Sequence, residues 1–145
     1  MKIENETITN AVFGELEFID CAWEGETVSS LFGEERTIGL YVYADEDEKT
    51  IEEQQEAVYL NYLRNQHEIE EAVRKVIIRE FNLPDGFDLS SRFRASSINV
   101  TCDGNCGISI VDNTFEMGHN RFKFVIETEP EYEFTDSEEY YLETK

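Results

Sequence analysis

Positive charge is scarce in this chain, proline is nearly absent, and no long apolar run occurs. Twelve Lys and Arg stand against 33 Asp and Glu, a formal net charge of −21. A surface of that kind repels phosphate backbones and anionic lipid, which excludes nucleic acid and acidic membranes as partners. No stretch approaches the roughly 20 apolar residues of a membrane-spanning helix. The opening Met1-Lys2-Ile3-Glu4-Asn5-Glu6 lacks the apolar core of a secretory signal. The expectation is a cytoplasmic protein. Three cysteines, an odd number, argue against a secreted disulfide framework.

Motifs for catalysis are also missing. There is no Gly-x-Ser-x-Gly, no His-Glu-x-x-His and no glycine-rich phosphate loop. Neither His67 nor His119 has a nucleophile at a recognisable offset. Cys102 and Cys106 are separated by three residues, not the two of a zinc knuckle or redox motif. With Cys21 they offer three thiols where a structural zinc takes four ligands. Asp45-Glu46-Asp47-Glu48 lacks the alternating ligands and central glycine of a calcium loop. The reading is a protein that is not an enzyme, with no catalytic residue, cofactor or metal.

What is present is enough apolar material to fold. Hydrophobic residues make up 40% and aromatics 12% of 145 residues, too much for a disordered chain. The length fits a single domain, 1–145. Four sections follow one another: strands over 7–44, a helical pair over 50–81, strands over 96–135, and an acidic segment over 127–145.

In the first section Leu16–Trp23 reads as a strand, Glu24-Gly25-Glu26 as a turn, and Thr27–Phe32 as the next strand. Thr37–Ala44 is apolar on both faces, the mark of a central or covered strand. Thr50-Ile51-Glu52-Glu53 has the form of a capping box, opening a helix to about Arg64. In the second helix Ile69, Val73, Val76, Ile77 and Phe81 recur at helical spacing. Leu83-Pro84-Asp85-Gly86 ends it.

Ser97–Cys102 and Cys106–Val111 flank Asp103-Gly104-Asn105. A three-residue loop would pair Cys102 with Cys106, Val100 with Ile108 and Ile98 with Ile110. Arg121–Glu127 alternates again. Glu131–Thr135 could add an edge strand beside Arg121 and Lys123, favoured by about 0.2–1 kcal/mol per opposite-charge pair. The expected fold is α+β, an antiparallel sheet of about six strands with two consecutive helices packed on one face.

The acids are dense in three places: Glu15 to Glu26, Asp45 to Glu56, and Glu127 to Glu143. From Glu127 onward eight acids accompany one lysine, interrupted by Tyr132, Phe134, Tyr140, Tyr141 and Leu142. Aromatic anchors among complementary charges give interfaces both affinity and fast encounter. The expected contact residues for a basic protein are therefore Asp45, Glu46, Asp47 and Glu48, with Glu131, Tyr132, Glu133, Asp136, Glu138, Glu139, Tyr140 and Tyr141.

Phe13-Gly14-Glu15-Leu16, Trp23-Glu24-Gly25 and Ile38–Ala44 lead into Ile51–Ala57 and then Tyr59–Asn65. Over residues 13–81 this resembles small acidic bacterial domains of unknown function found in polymorphic-toxin and contact-dependent growth-inhibition immunity loci. The resemblance implies an immunity-type protein that neutralises a basic toxin, a nuclease among the candidates, by covering its active surface. It supplies no site residues. A general interaction domain or oligomeric scaffold stays open as the alternative.

Overall fold

Short segments of alternating hydrophobicity, each reversing on a turn, favour a sheet built in chain order, and the computed structural model has that order. It describes residues 6–33, 35–45, 47–117, 120–127 and 133–135; of these, 114–117, 120–124, 127 and 133–135 are described by backbone alone. The strands are β1 (Thr7–Asn10), β2 (Gly14–Ile19), β3 (Ala22–Ser29), β4 (Arg36–Tyr43), β5 (Phe93–Val100), β6 (Cys106–Met117), β7 (Asn120–Glu127) and β8 (Glu133–Thr135). Helices α1 (Glu53–Arg64) and α2 (Gln66–Glu80) lie between β4 and β5. The eight strands form one sheet in the order β1 to β8.

The fold is thus α+β and mostly antiparallel, with two more strands than the sequence pattern suggested and one parallel pair, β4 with β5. The helical pair explains the parallel step. It carries the chain back to the end where β4 began, so β5 starts alongside β4 in the same direction. No helix among the described residues is long and apolar enough to cross a membrane.

One face of the sheet forms the core. Trp23, Leu40, Val42, Ile98, Val100, Ile108 and Ile110 from the strands share a buried cluster with Tyr62, Ile69, Val73 and Ile77 from the helices. The stripe foreseen on the second helix is the buried one. On α1 the inward residues are Gln55, Tyr59 and Tyr62, whereas Leu60 and Leu63 are 41% and 39% exposed. Their exposure narrows the apolar surface that the sequence pattern gave this helix.

Two local readings are corrected. Glu24-Gly25-Glu26 is not a turn; β3 runs straight through it, opposite β4. The reversal comes earlier, at Asp20-Cys21, between the partners Ile19 and Ala22. There Asp20 takes φ 59, which a short polar side chain tolerates. Gly25 serves close approach instead, for a Cβ there would lie 2.7 Å from Leu16 Cδ2 and 2.9 Å from the Glu15 carbonyl oxygen.

The β5–β6 hairpin is also shifted by two residues. Val100 pairs with Cys106 and Ile98 with Ile108, leaving Cys102 in the loop. Thr101 and Asn105 close that loop, with the Thr101 N–H donating to the Asn105 carbonyl at 2.9 Å and the Asn105 N–H to Thr101 Oγ1 at 3.1 Å. Cys106 is buried and Cys102 exposed, so the two thiols do not face each other. The expected edge strand is β8, but its partners on β7 are Val125, Ile126 and Glu127, not Arg121 and Lys123.

The helix cap also differs from the sequence pattern, and the difference closes one end of the parallel pair. The reciprocal cap involves Glu52 and Gln55, whose Oε1 accepts the Glu52 N–H at 2.8 Å. The amide of Gln55 then donates to the carbonyls of Tyr43 at 2.7 Å and Thr101 at 3.1 Å. Gln55 is completely buried. In open α/β sheets ligands often enter at the carboxyl ends of parallel strands; here one amide plugs that place. Gln55→Leu would take these bonds from the Tyr43 carbonyl and the Glu52 N–H, while the Thr101 carbonyl keeps the Gly104 N–H at 3.0 Å; the loss is about 1–3 kcal/mol for each group left unsatisfied. We expect the urea midpoint to fall with little change of slope.

At the other end a partly buried ion pair ties Arg92, just before β5, to Asp112 on β6. Arg92 Nε donates to Asp112 Oδ1 at 3.1 Å, and Nη2 to Oδ2 at 2.9 Å. Asp112 is 2% exposed. The Arg92 guanidinium also lies 5.1 Å from the Phe81 ring centre and 5.0 Å from that of Phe93, within cation–π range.

A candidate acidic docking face

Strand alternation sends every second residue of β1–β4 away from the helices. The set so displayed includes Thr7 and Thr9, Glu15 and Glu17, Glu24 and Glu26, and Tyr41 and Tyr43. Glu15, Glu17 and Glu26 are exposed, Glu24 and Tyr41 half-buried, and β1, β2 and β3 contain no Lys or Arg. The negative charge is therefore segregated here.

Register makes the arrangement specific. Glu17 is the direct cross-strand partner of Glu24, Glu24 of Tyr41, and Glu26 of Gly39. Like charges placed opposite each other destabilise an antiparallel pair. The Glu24 carboxyl is held above its ordinary pKa, first by burial and then by the charges of Asp20 and Glu17. The Tyr41 hydroxyl is also pushed up, by burial and then by Glu24. The ring of Tyr41 lies along its own strand over Gly39, where a Cβ would meet ring atoms at 3.0–3.3 Å. Tyr43 is 38% exposed beside it. The result is an aromatic floor next to four carboxylates.

Glu24 gives a test of this geometry. Because its folded pKa is raised, folding favours its protonated form, so the protein gains stability from this group as pH falls through the raised value. Glu24→Gln removes the charged form altogether. The variant should be more stable than the parent at pH 7, by up to about 1 kcal/mol. The difference should vanish below the ordinary glutamate pKa of about 4.3. Paired urea titrations across that range check it.

The residues expected from the sequence fall elsewhere. Asp45 Oδ1 accepts the N–H groups of Asp47 at 2.7 Å and Glu48 at 3.3 Å, so its carboxylate organises the turn after β4. Asp47 and Glu48 are exposed there. Lys49 follows, bridging to Glu6 at 3.2 Å and lying 5.1 Å above the Phe18 ring. This turn holds a cation of its own. Glu133 is placed on β8, by backbone alone. Glu46, Glu131, Tyr132, Asp136, Glu138, Glu139, Tyr140 and Tyr141 lie outside the described residues, as does His119. Among the described residues no three His, Cys, Asp or Glu side chains converge as a metal site.

The sequence shows the density of acids between Glu15 and Glu26 but not their alignment, since a turn at Gly25 would separate Glu24 from Glu17. The signal that would have joined them is the alternation Trp23, Gly25, Thr27, Ser29, which continues the strand through the glycine.

Residues 12–102 match a family model described as "Domain of unknown function (DUF6985)". That span covers β2 to β5 and both helices, and with them the carboxylates at positions 15, 17, 24 and 26. No curated protein and no solved structure matches the chain.

Proposed function

We propose, for a chain that belongs to the DUF6985 family of domains of unknown function, that it is an immunity-type protein which binds a basic toxin and covers its active surface. The observation that carries this reading is exposed Glu17 standing directly opposite half-buried Glu24, which in turn pairs with Tyr41. Glu17 has a further interaction within the protein, but β1, β2 and β3 contribute no cation of their own to the face. A lysine or arginine from outside would relieve the repulsion, and Tyr41 and Tyr43 would supply apolar contact next to the charge.

A nuclease toxin suits the role because it needs a cationic surface to hold its substrate. The acidic face would compete for that surface without performing any chemistry. The sequence resemblance to immunity-locus domains points the same way. The protein would then act in the cytoplasm, where such a toxin reaches its target. Asp47 and Glu48, at the carboxyl end of β4, could extend the contact.

The test is co-expression with a basic toxin domain encoded beside this gene. Growth should be rescued, and the two chains should purify together as a salt-sensitive complex. Rescue should be lost when Glu17 and Glu26 are both changed to lysine. If the chain neither rescues growth nor retains a basic protein, and light scattering finds a stable homo-oligomer burying β1–β4, the oligomeric scaffold reading replaces this one.

A further inference from the structure

We propose that the cleft between the amino ends of β4 and β5 binds a small oxyanion of the phosphate class. This does not rest on the docking reading. The two strands are paired only from Gly39 opposite Ser97 to Val42 opposite Val100. Toward their amino ends they part, where the β5 register shifts between Ala95 and Ser97. Bulges of this kind re-aim side chains next to sites.

The gap has one arginine on each side, Arg36 from β4 and Arg94 from β5. Both line two adjoining cavities of about 80 Å³ and about 290 Å³. A water needs only about 10–15 Å³ of such space, so the smaller cavity has room for a compact oxyanion.

Composition favours an anion there. Around the two cavities the lining includes two guanidinium groups and one carboxylate, Glu26, in a chain where acids outnumber bases 33 to 12. Guanidinium forks match phosphate oxygens with paired donors. Among the described residues Arg36 forms no ion pair. Arg94 already has an interaction within the protein, and an anion would share its five donors. Asn113 adds a side-chain amide to the smaller cavity. The hydroxyls of Ser29 and Ser90 are turned to Glu70 and Asp88. The arginines are therefore the groups that hold the ligand. The opposite end of the parallel pair, plugged by Gln55, offers no such opening.

Inorganic phosphate is the probe, titrated against chloride at matched ionic strength and followed by backbone amide NMR. Saturable shifts confined to residues 36–39 and 94–97 are expected. The thermal midpoint should also rise with phosphate, as binding to the folded state alone requires. Both responses should disappear in Arg36→Gln, a change at an exposed strand end, and in Arg94→Gln if that variant folds. A parallel titration with glycerol phosphate distinguishes a phosphomonoester from the free ion by whichever saturates at lower concentration. Shifts that never saturate, or that persist unchanged in Arg36→Gln, overturn the proposal.

Discussion

Arg92→Met should lower the unfolding free energy by up to about 3–5 kcal/mol, the cost of stripping the partner from a buried carboxylate, reduced to the extent that the guanidinium is 26% exposed and Asp112 keeps a further interaction. Domains of this size are stable by roughly 5–15 kcal/mol, so about a fifth or more of the total is at stake. The corresponding fall in Tm is on the order of 10 °C. Methionine keeps the length of the apolar stem, so the loss reports the guanidinium, through its ion pair and its contacts with the Phe81 and Phe93 rings. It leaves Asp112, 2% exposed, without its guanidinium. The compensating change is Asp112→Leu in the same chain. An apolar pair of similar volume is often neutral or better than the ion pair it replaces, so the double variant should recover most of the loss. A double-mutant cycle of urea denaturations measures the coupling. A single-variant loss below about 1 kcal/mol would place this pair with exposed salt bridges and contradict its burial.

The second large effect concerns encounter with the cationic partner. Changing Glu17 and Glu26 to lysine moves the face by four charges without touching a core residue. Steering by complementary fields raises association rates by about 10- to 1000-fold at low salt. The variant should therefore associate with the basic toxin domain on the order of 10- to 100-fold more slowly, with a flatter dependence on ionic strength. Stopped-flow mixing at two salt concentrations measures both. Glu17→Lys sets an ammonium opposite Glu24, an attractive pair in place of a repulsive one, whereas Glu26→Lys adds a cation beside Arg36 and Arg94. Urea titration of the free variant separates any loss of stability from the loss of association. An unchanged association rate with a partner that still binds would exclude this face.

Much of the architecture was legible because periodicity reports burial directly. The stripe through Ile69, Val73 and Ile77 and the alternation through Leu40 and Val42 both ended in the core. The errors came from residues with two physical uses. Gly25 was read for its conformational freedom, although its role is to admit Leu16. Asp103-Gly104 suggested a short loop, but Thr101 and Asn105 close a longer one and shift the register by two residues. The parallel pair could not be read at all, since no local pattern says which end of the sheet a helical excursion returns to. The acidic face was half visible. Charge density is a property of composition, but the meeting of Glu17 with Glu24 depends on a pairing fixed by the turn at Asp20.

Along the sheet, each strand's neighbour is also the next strand in the chain, and only between β4 and β5 does a helical excursion intervene. Strands β1 to β4 form one meander and β5 to β8 another, and a single seam stitches them with the helices laid across. Each half closes only short loops, which is quick, whereas the seam must gather the ends of the whole helical excursion and bears that entropy alone. The expected order of assembly is two hairpin stacks first and the zipping of β4 onto β5 last, which would show as low φ-values along the seam. Gln55 clasps the carboxyl end of that seam, so its hydrogen bonds belong among the last to form.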